Sequence, residues 1–413
     1  MLYFQALVGY SQSVLSNSDN AIHDHELQYA AMKNIAQSLQ TCRNQNRYRR
    51  REIMSSPQGA HIALENLPYL SFCSNDYLGL ANDERVKGAM IEGIKEYGAG
   101  SGAAHLITGH FEPHHRLEEA LAAHTGRSRA LLFSTGYMAN MGVIDALSAR
   151  GDLVLEDKLN HASLIDGGLY SRGTFKRYKH ADLNDLEKRL QDSEDNNRLI
   201  VTDGVFSMDG DIAPLKEITE LATKYDAQVL VDDAHGLGAL GETGGGVCEL
   251  FSLNDDDSPI IMGTLGKSFG VFGAFIAGSD ELIEWLIQRA RTYVYTTALP
   301  PAMATAALAS LQIIQTEPQR RQHLQALIER FRARVTEMGL ELMPSQTPIQ
   351  PIVVGDEAKA LAWSEQLKKS GILVKAIRPP TVPEGTSRLR ITFSAAHSFE
   401  DLEKLLSELE QFA

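Results

Sequence analysis

Residues 198–210 read RLIVTDGVFSMDG, residues 228–236 read QVLVDDAHG, and residues 259–270 read PIIMGTLGKSFG. Each stretch begins with a nearly continuous apolar run and ends in polar residues and glycine. Such runs are typical of strands that are covered on both faces. The three stretches therefore predict strands of a mostly parallel sheet, and their polar ends mark the edge where ligands bind in such sheets.

Three further strands are predicted nearer the N-terminus, and helical patterns separate them from one another. The six predicted strands are Ala130–Ser134, Leu153–Glu156, Thr174–Tyr178, Arg198–Asp203, Gln228–Asp233 and Pro259–Thr264. Regular alternation of strands and helices predicts an α/β fold with right-handed crossovers.

The chain on either side of this sheet has other patterns. Apolar residues recur at helical spacing from Asp24 to about Arg51, and a long helical stretch continues from Pro301 to about Met338. From Leu340 the order is β-α-β-β-α, ending in a helix at Phe399–Phe412. This order predicts a second, smaller α/β domain.

We therefore expect four parts. Residues 1–20 are a tag-like or disordered extension, because LYFQ at residues 2–5 resembles an engineered protease site. Residues 21–75 form an N-terminal helical segment, residues 76–300 a large domain, and residues 301–413 a linking helix and a small C-terminal α/β domain.

Composition excludes several functional classes. The chain has 413 residues and a net charge of -14, which argues against binding nucleic acid through phosphate contacts. Its 3 cysteines are far apart, so neither a disulfide framework nor a zinc site is expected, and a reducing cytoplasm fits. No apolar run approaches the ~20 residues that span a bilayer.

Lys267 is the first candidate for chemistry. It lies among Gly263, Gly266, Gly270 and Gly273, where a backbone can approach a ligand closely. A lysine in an apolar cleft can have a lowered pKa and attack a carbonyl group. An isolated lysine in a glycine-rich loop is more often a surface residue, so the neighbouring motifs decide the interpretation.

The other candidates also follow strands. Asp232 and Asp233 must point to opposite faces of their strand, so only one can face a given ligand. His235 and His161 lie beyond two strand ends. STGYMAN at residues 134–140 follows a strand and opens a helix, whose N-terminus would bind a phosphate group.

Several motifs together resemble the α-oxoamine synthase family of fold-type-I enzymes that use pyridoxal 5′-phosphate (PLP). They are SNDYLGL at 74–80, GAGSG at 98–102, LNHASL at 159–164, GVFSMDG at 204–210, VDDAHG at 231–236, TLGKSFG at 264–270 and IRPPTVPEGTSRLRITFSAAH at 377–397. The resemblance implies a large domain with a mainly parallel seven-stranded sheet, a smaller C-terminal α/β domain and a homodimer.

The resemblance also implies residue roles. Lys267 would hold PLP covalently and act as the proton-transfer base. Asp232 would face the pyridine nitrogen, and His161 would stack on the ring. The remaining implied contacts are Ser207 and His235 at the phenolic oxygen, Gly136, Tyr137 and Thr264 at the phosphate, Arg49 and Thr381 at the substrate, Arg378 at a carboxylate, and Tyr295–Thr297 at the partner's phosphate. No metal is expected.

The resemblance narrows the substrates too. IRPPTVP at residues 377–383 resembles the family members that condense L-alanine with a pimeloyl thioester, carried by coenzyme A or by acyl carrier protein. One alternative is a member that uses glycine with acetyl-CoA or succinyl-CoA. A PLP-binding protein without turnover and a dinucleotide-dependent enzyme are further alternatives, although the candidate residues are all present and no GxGxxG follows a strand.

Overall fold

A computed structural model describes residues 34–45, 47–253 and 259–413. The predicted extension at 1–20 and the first part of the predicted helix lie outside these residues. The described helix is α1, Ile35–Asn44, which Asn34 caps by accepting from the Gln37 amide. It ends before the basic stretch at residues 47–51, so the prediction of a helix to about Arg51 is wrong. That stretch lacks the apolar periodicity that would hold a helix to a core.

The large sheet has seven strands. In chain order they are β3 Arg129–Phe133, β4 Leu153–Asp157, β5 Thr174–Tyr178, β6 Arg198–Asp203, β7 Ala227–Asp232, β8 Ile260–Thr264 and β9 Ala274–Gly278. The spatial order is β3-β9-β8-β7-β6-β4-β5. Strands β4 to β8 pair in parallel, whereas β9 pairs antiparallel with β3 and β8. The predicted seven-stranded, mainly parallel sheet is confirmed.

Helices cover this sheet. They are α2 Glu84–Tyr97, α3 Glu112–Thr125, α4 Gly136–Leu147, α5 Ala162–Tyr170, α6 Leu183–Gln191, α7 Leu215–Lys224, α8 Gly246–Leu250, α9 Asp280–Arg289 and α10 Arg291–Val294. Two apolar cores result, one against each face of the sheet. Alternate residues of β7 divide between them, with Val229 and Val231 in one core and Leu230 in the other. Burial on both faces explains why β6, β7 and β8 read as continuous apolar runs.

Two helices, α11 Pro301–Thr316 and α12 Gln319–Glu337, replace the single predicted helical stretch to Met338. Pro318 stands between them and has no N–H to continue the hydrogen bonding of α11. The C-terminal elements are β10 Ile349–Gly355, α13 Glu357–Lys369, β11 Ile372–Leu373, β12 Lys375–Ile377, β13 Ser387–Thr392 and α14 Phe399–Leu409, followed by a 3-10 turn at Glu410–Phe412.

The N-terminal segment is joined to the C-terminal elements by a small sheet. Strands β1 His61–Leu64 and β2 Leu67–Ser71 form a hairpin, and β2 pairs in parallel with β11. The boundaries between the segments at 21–75, 76–300 and 301–413 stay a prediction. Among the helices of the described residues, none has both the length and the apolar composition needed to cross a membrane.

Candidate active site

A cavity of about 190 Å³ opens at the carboxyl ends of the parallel strands. It is lined by eight predicted residues: Gly136, Tyr137, His161, Ser207, Asp232, His235, Thr264 and Lys267. They come from distant parts of the chain, and the parallel sheet brings them together because its strands end at a common edge. The cavity also has four lining residues that sequence reasoning did not select: Ser163, Asp203, Ala234 and Met262.

Asp232 ends β7, and its carboxylate is held on both oxygens. Oδ2 accepts a hydrogen bond from Asn140 Nδ2 at 2.7 Å, and Oδ1 accepts from the Ala234 amide at 3.0 Å. Asp233 points to the other face, where its Oδ2 accepts from the Val247 amide at 2.8 Å. The geometry predicted from the strand period is therefore confirmed, and the first aspartate of the pair faces the cavity.

Asp203 ends the neighbouring strand β6 and lies opposite Asp232 in the register. Its Oδ2 accepts from the His161 amide at 2.7 Å. Burial, and next the negative charge of Asp232, raise the pKa of Asp203 well above its ordinary value. A carboxyl group at the end of an apolar run was the available signal for this residue, as it was for Asp232.

Lys267 lies in the loop after β8, and its Nζ is 2.8 Å from Nε2 of His235. Burial lowers the pKa of Lys267 to about 8, although the carboxylates of Asp232 and Asp203 act in the opposite direction. Burial likewise lowers the pKa of His235 well below its ordinary value, and the positive charge of Lys267 adds to this. The cavity thus combines a lysine of reduced basicity with a neutral imidazole.

Two of the glycines around Lys267, Gly263 and Gly270, allow close packing within the protein. A Cβ atom on Gly263 would lie 2.4 Å from side-chain atoms of Leu237 and Phe275, and one on Gly270 would lie 2.3 Å from the Ala81 amide. Neighbouring residues therefore require glycine at these two positions, and the expected close approach of the backbone to a ligand stays a prediction. At both positions the space is taken by neighbouring residues of the fold.

The N-terminus of α4 meets the cavity at Gly136 and Tyr137. Thr135 caps this helix by accepting from the Met138 amide at 3.2 Å. A Cβ atom on Gly136 would lie 3.3 Å from the Met262 side chain, so these two lining residues of the cavity are packed closely together. Thr264, at the end of β8, accepts at its hydroxyl from the Gly266 amide at 3.2 Å. The hydroxyl also donates to the Gly273 carbonyl at 3.2 Å and would have to turn from it to bind an anion, whereas the amides at the N-terminus of the helix suit an anion directly.

His161 caps α5, and its Nδ1 is 2.8 Å from the Ser163 hydroxyl. Burial lowers the pKa of His161, so its ring is neutral at neutral pH. Ser163 also accepts from Asn140 Nδ2, which connects the imidazole to the group that holds Asp232.

Three predicted substrate residues, Arg49, Arg378 and Thr381, do not line this cavity. Arg378 donates from Nε to Glu357 Oε1 at 3.1 Å, in the C-terminal part of the chain. Arg49 and Thr381 are exposed. Tyr295 is also outside the cavity, with 73% of its surface exposed. Their predicted contacts with substrate or a partner stay predictions.

Arg390 is a guanidinium group that sequence reasoning missed. It lies on β13, is 8% exposed, and donates from Nε to the Ser207 carbonyl at 2.6 Å. Its charge lowers the pKa of both Lys267 and His235. The signal that could have found it is the pair of arginines inside the apolar strand RLRIT at residues 388–392.

Residues 68–409 match the family of class I and II aminotransferases. The chain is 55% identical to an 8-amino-7-oxononanoate synthase of Cellvibrio japonicus over 375 residues, which are 91% of this chain and 94% of that protein. A structure of 8-amino-7-oxononanoate synthase from Francisella tularensis is 31% identical, with a TM-score of 0.72 over 83% of this chain and 97% of that one.

The fold is also similar to that of a serine palmitoyltransferase from S. paucimobilis, whose structure contains PLP joined to myriocin. The identity is 29%, the TM-score is 0.87, and the match covers 92% of this chain and 97% of that one. The similarity extends over both the seven-stranded sheet and the C-terminal elements.

Proposed function

The chain belongs to the 8-amino-7-oxononanoate synthases within the class I and II aminotransferase family, and from this we propose its reaction. It condenses L-alanine with a pimeloyl thioester, releases carbon dioxide and the free thiol of the acyl carrier, and forms 8-amino-7-oxononanoate, a step of biotin biosynthesis, with PLP bound to Lys267. The observation that carries the proposal is that one cavity contains the Lys267 amine, the Asp232 carboxylate and the N-terminus of α4.

The residues of the cavity fit PLP group by group. A phosphate matches the amides at Gly136 and Tyr137 and the hydroxyl of Thr264. A protonated pyridine nitrogen matches the Asp232 carboxylate, and a phenolic oxygen matches Ser207 and His235. The aldehyde carbon matches Lys267, whose pKa of about 8 leaves a useful fraction of neutral amine near neutral pH.

When bound, PLP supplies an electron sink that makes the α proton of an amino acid acidic. Asp232 would face the pyridine nitrogen and favour its protonated form, and the two hydrogen bonds that the carboxylate accepts hold it in place for this. The imidazole of His161 would pack on the ring and so orient the cofactor relative to the Lys267 amine. Lys267 takes up the α proton of L-alanine and later returns a proton to the product.

Both substrates carry carboxylates that need cationic partners. Arg390 contacts Ser207, which lines the cavity, and is our candidate for the carboxylate of L-alanine, since a guanidinium group binds a carboxylate with two hydrogen bonds. Arg49, Arg378 and Thr381 remain the candidates for the pimeloyl thioester. Arg378 would exchange its hydrogen bond with Glu357 for one with the substrate carboxylate.

We further propose that the enzyme is a cytoplasmic homodimer whose sites are built from both subunits. The exposed Tyr295 and the following Thr296 and Thr297 support this, because they lie outside their own cavity and present an aromatic ring and two hydroxyl groups to a neighbour. The acyl group arrives on coenzyme A or on acyl carrier protein.

The test is an absorbance spectrum of the purified protein with PLP, followed by assays of carbon dioxide and product release. The wild-type protein should show a visible band that changes with L-alanine, and Lys267→Ala should lack it. Turnover should require both L-alanine and a pimeloyl thioester. A protein that binds no PLP would overturn the proposal. Turnover of a thioester with glycine but not with L-alanine would overturn the assigned amino-acid substrate.

A further inference from the structure

A buried chain of polar side chains leads from Lys267 to the C-terminal strand β13. Lys267 Nζ is 2.8 Å from His235 Nε2, and His235 Nδ1 is 2.5 Å from the Tyr77 hydroxyl. The same hydroxyl is 3.4 Å from Oδ1 of Asn75, which also accepts from Arg390 at 3.3 Å. Tyr77 and His235 are 0% and 6% exposed, so water does not replace these contacts.

The direction of these hydrogen bonds depends on the state of Lys267. A lysine ammonium group has hydrogens to donate and no lone pair, so Nε2 of His235 must accept from it. A neutral imidazole then carries its hydrogen on Nδ1 and donates to the oxygen of Tyr77. The hydroxyl hydrogen of Tyr77 is left to Asn75, the other acceptor within reach.

With a cofactor bound to Lys267, Nε2 of His235 has to donate a hydrogen bond instead of accepting one. In the proposed function, His235 faces the phenolic oxygen of PLP, which as an anion only accepts hydrogen bonds. Nε2 can donate to that oxygen only in the tautomer that carries the hydrogen on Nε2, and a donor to Nδ1 is needed to favour this tautomer. Within the described chain, the hydroxyl of Tyr77 is the group that contacts Nδ1, and a hydroxyl can both donate and accept.

We propose that Tyr77 is a positioning residue that sets the tautomer of His235, accepting from Nδ1 in the cofactor-free protein and donating to Nδ1 once PLP is bound. This inference rests on the proposed function. Burial raises the pKa of Tyr77 to about 12, so its hydroxyl keeps its hydrogen throughout the working range of pH.

The surroundings of His235 favour a change of tautomer over a change of charge. Burial opposes protonation of its ring first, and the positive charges of Lys267 after β8 and Arg390 on β13 add to this. The carboxylates of Asp203 and Asp232 act on Lys267. The ring therefore stays neutral in both states, and a hydrogen can only exchange between its two nitrogens.

The test compares ¹⁵N chemical shifts of the His235 ring in the full-length protein with and without PLP. We expect the hydrogen on Nδ1 without PLP and on Nε2 with it, in the wild-type protein. In Tyr77→Phe with PLP, the hydrogen should no longer be confined to Nε2. The matched control is Tyr178→Phe, which removes the hydroxyl of another buried tyrosine and should behave as wild type.

A second measurement is the pH titration of the visible band of bound PLP. A weaker hydrogen bond to the phenolic oxygen makes that oxygen hold its shared proton more tightly, so the titration of Tyr77→Phe should shift upward by roughly one pH unit. An Nε2 tautomer in both states of the wild type, or an unshifted titration in Tyr77→Phe, would overturn the inference. A wild-type protein without a Lys267-dependent band would instead overturn the proposed function.

Discussion

Asp203 and Asp232 stand side by side on the parallel strands β6 and β7, directly opposite in register, and both carboxyl groups line the same cavity. Two buried carboxyl groups at this spacing do not both ionise readily. Asn140 and the Ala234 amide donate to Asp232, whereas burial and the charge of Asp232 raise the pKa of Asp203. The two carboxyl groups therefore differ in their surroundings, with Asp232 held by two donors and Asp203 the one whose negative charge is disfavoured.

This difference predicts unequal effects of the same substitution. Asp232→Asn removes the anion opposite the pyridine nitrogen and should lower kcat by about 100-fold or more, since two pKa units of lost charge stabilisation correspond to that factor. Asp203→Asn keeps a side-chain oxygen that can still accept from the His161 amide, and it removes a charge that burial already disfavours. It should lower kcat by less than about 10-fold. Equal losses of kcat in the two variants would contradict this difference.

The lowered pKa of Lys267 predicts the pH dependence of PLP binding. Only the neutral amine can attack the aldehyde carbon, and its fraction rises as pH passes through the pKa of about 8. The rate at which the cofactor-free protein gains its visible band should therefore rise between pH 6.5 and pH 9 and then level off. Stopped-flow absorbance measures this rate. A rise that continues unchanged to pH 10.5 would show that Lys267 keeps an ordinary pKa.

Because of the raised pKa of His180, we expect the stability of the fold to depend on pH. His180 is 3.0 Å from Asp157 and 2.9 Å from Asp211, and although burial opposes its charge, these hydrogen bonds raise its pKa to about 10. The folded pKa exceeds the unfolded value of ~6.5, so the contribution is complete below pH 6.5 and is lost as pH rises toward 10. His180→Gln should cost about 2 kcal/mol of unfolding free energy at pH 6.

Thermal unfolding at two pH values checks this prediction. The Tm of His180→Gln should lie below that of the wild type at pH 6, and the difference should become smaller at pH 9.5. His323→Gln is a suitable control, because the ring of His323 contacts the carbonyl oxygen of His397 and has no carboxylate partner among the described ion pairs. A difference in Tm that is the same at both pH values would contradict the assigned charge.

Much of the fold could be predicted because the central strands are buried on both faces. The apolar runs of β6, β7 and β8 follow directly from that burial, and predicted and observed bounds agree within one residue. Strand β9 was missed because AFIAG at residues 274–278 is short and rich in small residues, so its pattern is weak. Strand β9 forms by pairing with β3 and β8, two strands that lie far apart from each other in the chain.

The site was predicted only in part, and for a related reason. Residues next to strand ends, such as Asp232 and Lys267, carry a local signal. Asn140, Tyr77 and Arg390 act through contacts with residues 92, 158 and 183 positions away in the chain. Such contacts depend on the packed fold. A charge within an apolar strand could have marked Arg390 for attention, but the local sequence does not show which distant residue it contacts.

We expect the close contact of Gly270 with residues 80 and 81 to determine the position of the loop that carries Lys267. The φ of Gly270 is 67°, and its amide donates to the Lys267 carbonyl at 2.8 Å, which closes the turn behind the lysine. A Cβ atom there would meet the backbone of Leu80 and Ala81 at 2.5 and 2.3 Å, and backbone cannot rotate away as a side chain can. Gly270→Ala must therefore displace the loop and with it the amine of Lys267. We expect a loss of about 3 kcal/mol of stability and at least a 10-fold weaker binding of PLP, measured by thermal unfolding and by titration of the visible band.

Gly100→Ala is the control, because a Cβ atom at Gly100 meets nothing within 4 Å and its φ is not in the left-handed region. If both variants bind PLP equally well, the close approach of the lysine loop to residues 80 and 81 does not position Lys267.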